Sequence, residues 1–150
     1  MAIAISEIVE TYKNRFQVGL PYVVEKPVDD LSLIITIPAF KEPDIEKILQ
    51  SLAECEKPAG IVEILLVINA PAEATEDVLK INQKAFETAR MLELPEFLQL
   101  RIIRSENIAK KYFGAGMARK IGMDEAVQRV GCFKKRWSDC LPGCRLYSIS

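Results

Sequence analysis

No histidine occurs anywhere in the 150 residues. Without an imidazole, Ser–His and Cys–His nucleophile pairs and any histidine-based metal centre are excluded. The four cysteines are Cys55, Cys132, Cys140 and Cys144, and no C-x-x-C spacing of the kind that pairs zinc ligands occurs among them. No stretch approaches the roughly 18 to 20 consecutive apolar residues that a membrane-spanning helix needs. The start, Met1 to Glu7, lacks the basic residues and long apolar run of a secretion signal. These absences predict a cytoplasmic chain with reduced cysteines and no membrane segment. Nor is there an excess of charge: the net value is -1, so no global basic field exists to attract nucleic acid. Two phosphate-binding fingerprints also fail. G-x-G-x-x-G needs glycine where Arg119 stands and belongs after the first strand, and the P-loop needs Gly-Lys where the chain has Arg119-Lys120.

What is present is an ordinary globular composition, with 49% hydrophobic and 27% charged residues. The length suits one domain. Ile5, Ile8, Val9 and Tyr12 share one face of a helix expected over residues 4–16. After a connection punctuated by Pro21 and Pro27, Leu31 to Ile37 is almost wholly apolar and β-branched, as a strand buried on both faces reads, with Pro38 expected to stop it. Ile45, Ile48, Leu49 and Leu52 then fall at helical spacing behind Pro43 and Asp44. A second such strand covers Val62 to Ile68, and a helix over 75–91 carries Val78, Ile81, Ala85 and Ala89 on its stripe. A third strand covers Leu98 to Ile103, and a further helix follows from about Gly114 to Val127. The order β-α-β-α-β-α, with strands about thirty residues apart, predicts right-handed crossovers and an α/β, Rossmann-like three-layer sandwich around a mainly parallel sheet.

In such sheets ligands bind beyond the carboxyl ends of the strands. After the first strand stand Pro38, Ala39, Phe40, Lys41 and Glu42. The aromatic ring suits stacking on a nucleobase, and the carboxylate can accept from base or ribose donors. The same residues also read as a plain turn, with Phe40 capping the core and Glu42 charging a helix N-terminus. Asn69, after the second strand, suits either a base edge or a turn. Beyond the third strand, Lys110, Lys111 and Arg119 surround Gly114 and Gly116, where bare backbone at a helix N-terminus would admit a phosphate.

Over residues 31–128 the chain resembles family 2 glycosyltransferases. The segment Leu33 to Glu42 is similar to that family's first strand and its Pro-x-aromatic-Asn-Glu end, with Lys41 in place of Asn. Glu63 to Asn69 looks like the second strand, whose usual closing pair of aspartates is here Ile68-Asn69. Gly116 to Gly122 is similar to the family's glycine-then-Ala-Arg-Asn segment, with Lys120 for Asn. The resemblance implies an incomplete nucleotide-diphospho-sugar transferase fold. It assigns nucleotide binding to Pro38, Ala39, Phe40, Glu42, Asn69 and Arg119, and implies a UDP- or GDP-linked sugar as partner. An intact member would hold Mg²⁺ or Mn²⁺ on an Asp-x-Asp motif after a fourth strand and deprotonate its acceptor hydroxyl with a later carboxylate. Neither motif occurs in this sequence. The resemblance therefore implies a transferase lineage in glycan synthesis, with no catalytic residue and no turnover in this chain; a noncatalytic nucleotide-binding remnant is the alternative.

The chain divides into a helix and lead-in at 1–30, a partial nucleotide-sugar-binding domain at 31–130 and an aberrant tail at 131–150. The tail holds three of the four cysteines and Trp137, the single tryptophan. No strand is evident in it, and disorder is expected. Codons can be written for Trp137 to Tyr147 that, read one base later, give Gly-Val-Ile-Val-Cys-Leu-Asp-Ala-Asp-Cys. That is a buried strand ending in Asp-x-Asp where the family has it, so a frameshift near residue 130 would account for the tail. A true extension carrying a redox-active or metal-binding set of cysteines is the other reading. With the sheet stopped at three strands, an apolar edge would be left open to self-association.

Overall fold

The computed structural model describes residues 3–132 and the strand residues 145–148. Four parallel strands form one sheet in the order β3-β2-β1-β4. They are β1 (Leu31–Ala39), β2 (Ile61–Pro71), β3 (Leu98–Ile108) and β4 (Arg145–Ser148). Helices α1 (Ile5–Phe16), α2 (Ile45–Ala53), α3 (Glu76–Met91) and α4 (Ala115–Val130) cover the two faces. Ile45 and Leu49 of α2 and Ala85 and Ala89 of α3 pack with Ile35, Ile37, Ile64, Leu66 and Ile68 on one side. Ile5 and Val9 of α1 and Ala126 and Val130 of α4 pack with Leu31, Ile34 and Leu65 on the other. The chain is thus an α/β three-layer sandwich with an all-parallel sheet. Chain direction across the sheet reverses between β1 and β4, which makes the carboxyl end of β1 a topological switch point.

Three expectations about the strands are corrected. Pro38 does not stop β1, which continues to Ala39 and pairs Pro38 with Val67. Its fixed φ suits extended backbone, and the described pairing with β4 already ends at Thr36, so a residue without an N–H is accommodated there. The strands β2 and β3 run further than expected, and Asn69 lies inside β2, opposite Ser105, just before an irregularity that shifts the register between Asn69 and Pro71. A strand also occurs where none was evident: residues 145–148 lie parallel to β1, with Leu33 opposite Arg145 and Thr36 opposite Ser148. The rest of the predicted aberrant tail, 133–144 and 149–150, lies outside the described residues.

Helix α4 binds the sheet unusually closely. Its buried stripe is Ala118, Gly122, Glu125, Ala126, Arg129 and Val130. A Cβ at Gly122 would stand 3.0 Å from the Thr36 Cβ, so the missing side chain sets the approach of α4 to β1. The two charged members of the stripe are each used. Glu125 accepts from the N–H groups of Tyr22 (2.8 Å) and Val23 (3.1 Å), which fastens the lead-in to the helix. Arg129 grips the wholly buried carboxylate of Glu63 in β2 with two nitrogens, Nε to Oε1 and Nη2 to Oε2 at 2.6 Å, and donates through Nη1 to the Glu25 carbonyl at 2.9 Å. Arg101 of β3 approaches the same carboxylate at 3.5 Å.

A buried carboxylate that loses its main cation costs far more than an exposed pair contributes. Arg129→Met is therefore expected to lower unfolding free energy by about 3–5 kcal/mol. The double variant Glu63→Leu with Arg129→Met should recover part of that loss. Urea midpoints check both; a single variant near wild type would show that Arg101 alone satisfies Glu63.

Tyr12 of α1 donates its hydroxyl to Asp124 Oδ1 of α4 at 3.0 Å. Burial, then the hydrogen bond and the negative charge of Asp124, push the phenol from 10.0 up to about 12. A folded-state value above the unfolded one means that this stabilisation is complete below pH 10 and is lost as pH rises toward about 12. Replacing Tyr12 by Phe should flatten the fall in stability across that window, read from denaturant midpoints at stepped pH. Identical profiles for the two proteins would refute the coupling.

Candidate functional site at the carboxyl edge of the sheet

The residues singled out after the first two strands converge. A cleft of about 260 Å³ is lined by Pro38, Phe40 and Glu42 from the end of β1, Asn69 from β2, and Phe113, Gly114, Ala115 and Ala118 at the start of α4. Ala39 is buried in β1 at 2% exposure and takes no part in the lining. Arg119 is exposed on α4, directly after the lining residue Ala118, and does not line the cleft itself.

Each wall has a local cause. Phe40 remains 45% exposed and meets Phe113 edge-on, with ring centroids 4.9 Å apart and planes at 65°. That geometry places the positive edge of one ring against the negative face of the other and leaves an aromatic surface open to the cleft. Glu42 Oε1 accepts from the Asp44 N–H at 2.9 Å, just ahead of α2. The turn reading of Glu42 is therefore realised, with the carboxylate at the helix start that favours negative charge. Between them, Lys41 adopts a left-handed conformation, φ 50°. Asn visits that region several times more readily than most residues, so Lys41 occupies a backbone site that suits Asn. Its side chain reaches Asp77 at 3.0 Å, an exposed pair worth little.

One residue that organises this edge was missed in the sequence. Asn82 of α3 is 1% exposed. Its Oδ1 accepts from the Lys41 N–H at 3.1 Å, and its Nδ2 donates to the Asn69 carbonyl at 3.1 Å and to Glu106 Oε1 at 3.3 Å. Glu106 is held from its other oxygen by Arg104, whose guanidinium also lies 4.8 Å from the centre of the Phe86 ring. Asn82 thus ties together the ends of all three long strands. The expected stripe of α3 named Ile81, which is only half-buried; the buried positions are Val78, Asn82, Ala85 and Ala89. An amide falling four residues after Val78, on the apolar stripe, was the available signal.

Asn69 is the other unusual member. It is 1% exposed, lines the cleft, and its Oδ1 finds no hydrogen-bond partner. Buried polar atoms are rarely left so, because an unmade hydrogen bond there costs about 1–3 kcal/mol.

Among the described residues, no group of three His, Cys, Asp or Glu side chains could hold a metal ion. No helix among the described residues is long and apolar enough to cross a membrane.

No family model matches the chain, and a search of curated proteins finds no match. Among solved structures, the chain is similar to a mannosyltransferase from Pyrobaculum calidifontis in complex with GDP-mannose and Mn²⁺, at 15% sequence identity and a TM-score of 0.36. The likeness covers 77% of this chain and 31% of that one.

Asn82→Ala should remove the partner of the Lys41 N–H and of the Asn69 carbonyl together, and we expect a loss of about 2–4 kcal/mol in stability. Amide exchange should accelerate at Lys41 while the core of β2 at Leu65 to Val67 keeps its protection. Unchanged exchange at Lys41 would show that Asn82 does not hold the turn.

Proposed function

We propose that this chain is the donor-binding part of a sugar-nucleotide transferase lineage and that the cleft takes the nucleoside of a nucleotide-diphosphate sugar. The observation that carries this reading is the pairing of the exposed Phe40 face with the unsatisfied Asn69 amide in one cleft at the carboxyl edge. An aromatic face stacks any base, and a buried amide oxygen without a partner accepts from a base N–H or a ribose hydroxyl. Pro38 and Ala39 set the strand end from which Phe40 projects, and Glu42 keeps one oxygen free of the Asp44 contact. Arg119 stands beside the cleft as a cation for the phosphates.

In the transferase lineage the sugar passes from the diphosphate to an acceptor hydroxyl in glycan synthesis. This chain would bind without turning over, because the carboxylates that would hold Mg²⁺ or Mn²⁺ and the base that would take the hydroxyl proton do not occur in its sequence. A noncatalytic nucleotide-binding module is the second reading, favoured by a sequence without an Asp-x-Asp pair. On the first reading the lost Asp-x-Asp pair lies in the +1 frame of the coding DNA across residues 137–147, which the gene sequence decides.

Calorimetric titration of the whole chain with UDP and GDP is expected to show saturable binding. Phe40→Ala and Arg119→Ala should each weaken it about tenfold, the worth of one stacked base or one charge-assisted contact. No transfer to water or to an alcohol should be detected with the corresponding donor sugars. Binding untouched by Phe40→Ala would remove the cleft as the site, and turnover would refute the noncatalytic assignment.

A further inference from the structure

The start of α4 has donors to spare. Its N-cap is Gly114, which offers no side chain to the first turn. The N–H groups of Met117 and Ala118 both turn back to the Gly114 carbonyl, at 3.1 and 3.2 Å. Those of Ala115 and Gly116 meet no acceptor among the described residues. The first turn holds no acidic residue, so nothing neutralises the positive end of the helix. A Cβ built at Gly114 or Gly116 meets nothing within 4 Å, which leaves the backbone open to close approach. Lys110 and Arg119 flank this turn, both exposed and without an ion pair among the described residues.

A free helix start is commonly satisfied by water. Two facts argue for a ligand. Gly114 and Ala115 line the same cleft as Asn69, and Asn69 is buried there with an unpartnered oxygen. Three buried side-chain atoms among the described residues lack a hydrogen-bond partner, and the others belong to Gln99 and to Arg101, which faces Glu63, near the opposite end of β3. A ligand that gives a donor to Asn69 and anionic oxygens to the Ala115 and Gly116 N–H groups would satisfy both at once. Glu42, on the other wall, limits how much negative charge the cleft accepts and favours placing it at α4.

We infer that the first turn of α4 is a metal-independent subsite for the phosphate groups of that ligand, with the N–H groups of Ala115 and Gly116 as donors and Lys110 and Arg119 as counter-charges. This rests on the nucleotide reading of the cleft but departs from it in one respect. The anion is held by main-chain donors of this chain, and no divalent cation takes part in its capture.

Pyrophosphate and inorganic phosphate, titrated into the full chain with EDTA and separately with Mn²⁺, test the subsite. Uridine and guanosine test the nucleoside part alone. Pyrophosphate is expected to bind saturably and equally well in both buffers. Ala115→Pro removes one donor at a position where proline suits a helix start, so the fold should persist. It should weaken pyrophosphate about tenfold or more, as loss of a hydrogen bond to a charged group does. In the unaltered chain, the amide resonances of Ala115 and Gly116 should move on pyrophosphate addition, which keeps the test open if the proline variant fails to fold. Pyrophosphate binding that needs Mn²⁺, or amide resonances that stay still, would overturn the subsite. Nucleosides that bind while pyrophosphate does not would overturn it and leave the nucleotide reading intact. If neither binds, both fall.

Discussion

A carboxylate at 0% exposure in the middle strand is the constraint around which one whole face of the molecule is arranged. A carboxylate buried between two layers needs cationic partners, and Arg129 supplies two donors in the fork geometry that matches it. To reach it, Arg129 must lie on the sheet side of α4, which fixes the rotation of that helix. With the rotation fixed, Gly122 faces Thr36, Glu125 faces the lead-in, and Ala118 and the helix start face the cleft. The third nitrogen of Arg129 then reaches the Glu25 carbonyl, so the lead-in is held from two positions one helical turn apart. The ion pair and the cleft lie at opposite ends of α4.

The carboxyl edge is organised differently, by a neutral amide instead of charge. Asn82 makes three hydrogen bonds to three separate strand ends. Because two of them go to main-chain groups, they fix backbone positions whatever side chains the loops carry. The left-handed turn at Lys41 is thereby held by its own N–H, and the bulged end of β2 by its carbonyl at Asn69. Binding residues on loops need such a scaffold if they are to act without ordering costs at the moment of binding. Asn69 shows the consequence: its carbonyl is tied down while its side chain is left with an oxygen unmatched.

Much of this was legible in the sequence, and the parts that were not share a cause. Apolar runs at Leu31 to Ile37, Val62 to Ile68 and Leu98 to Ile103 located three strands, and their spacing gave the parallel order. Helical stripes at Ile45 and Leu49 and at Ala85 and Ala89 located the layer that covers one face. The reading failed where burial is carried by polar residues. Glu63, Asn82, Glu125 and Arg129 are each 2% exposed or less, and periodicity of apolar residues cannot see them. Strand ends were set too short for a related reason, since Pro38, Asn69 and Glu106 look like turn residues but lie within strands. Of the residues that line the cleft, Pro38, Phe40, Glu42 and Asn69 could be named in advance because strand ends in a parallel sheet must gather at one edge. Phe113 and Ala118, which complete the cleft, follow only from the rotation of α4, and that rotation depends on a charge pair sixty-six residues apart.

Sheet order adds a last step. Because β3 lies beyond β2 and β4 beyond β1, the helix leaving β3 must cross to the far side of β1 before the chain can re-enter the sheet. Its start therefore falls above the ends of β1 and β2, where no strand-to-helix loop from those two strands can block it. The loop after β1 turns away through Lys41 into α2, on the opposite face. What results is a gap between two crossovers, walled by Phe40 on one side and the open turn of α4 on the other. The place of that gap follows from connectivity, and its α4 wall from the rotation that the Glu63–Arg129 pair fixes. Its chemistry follows from the few groups that stand in it: the aromatic face of Phe40, the partnerless Oδ1 of Asn69 and the main-chain N–H groups that open α4.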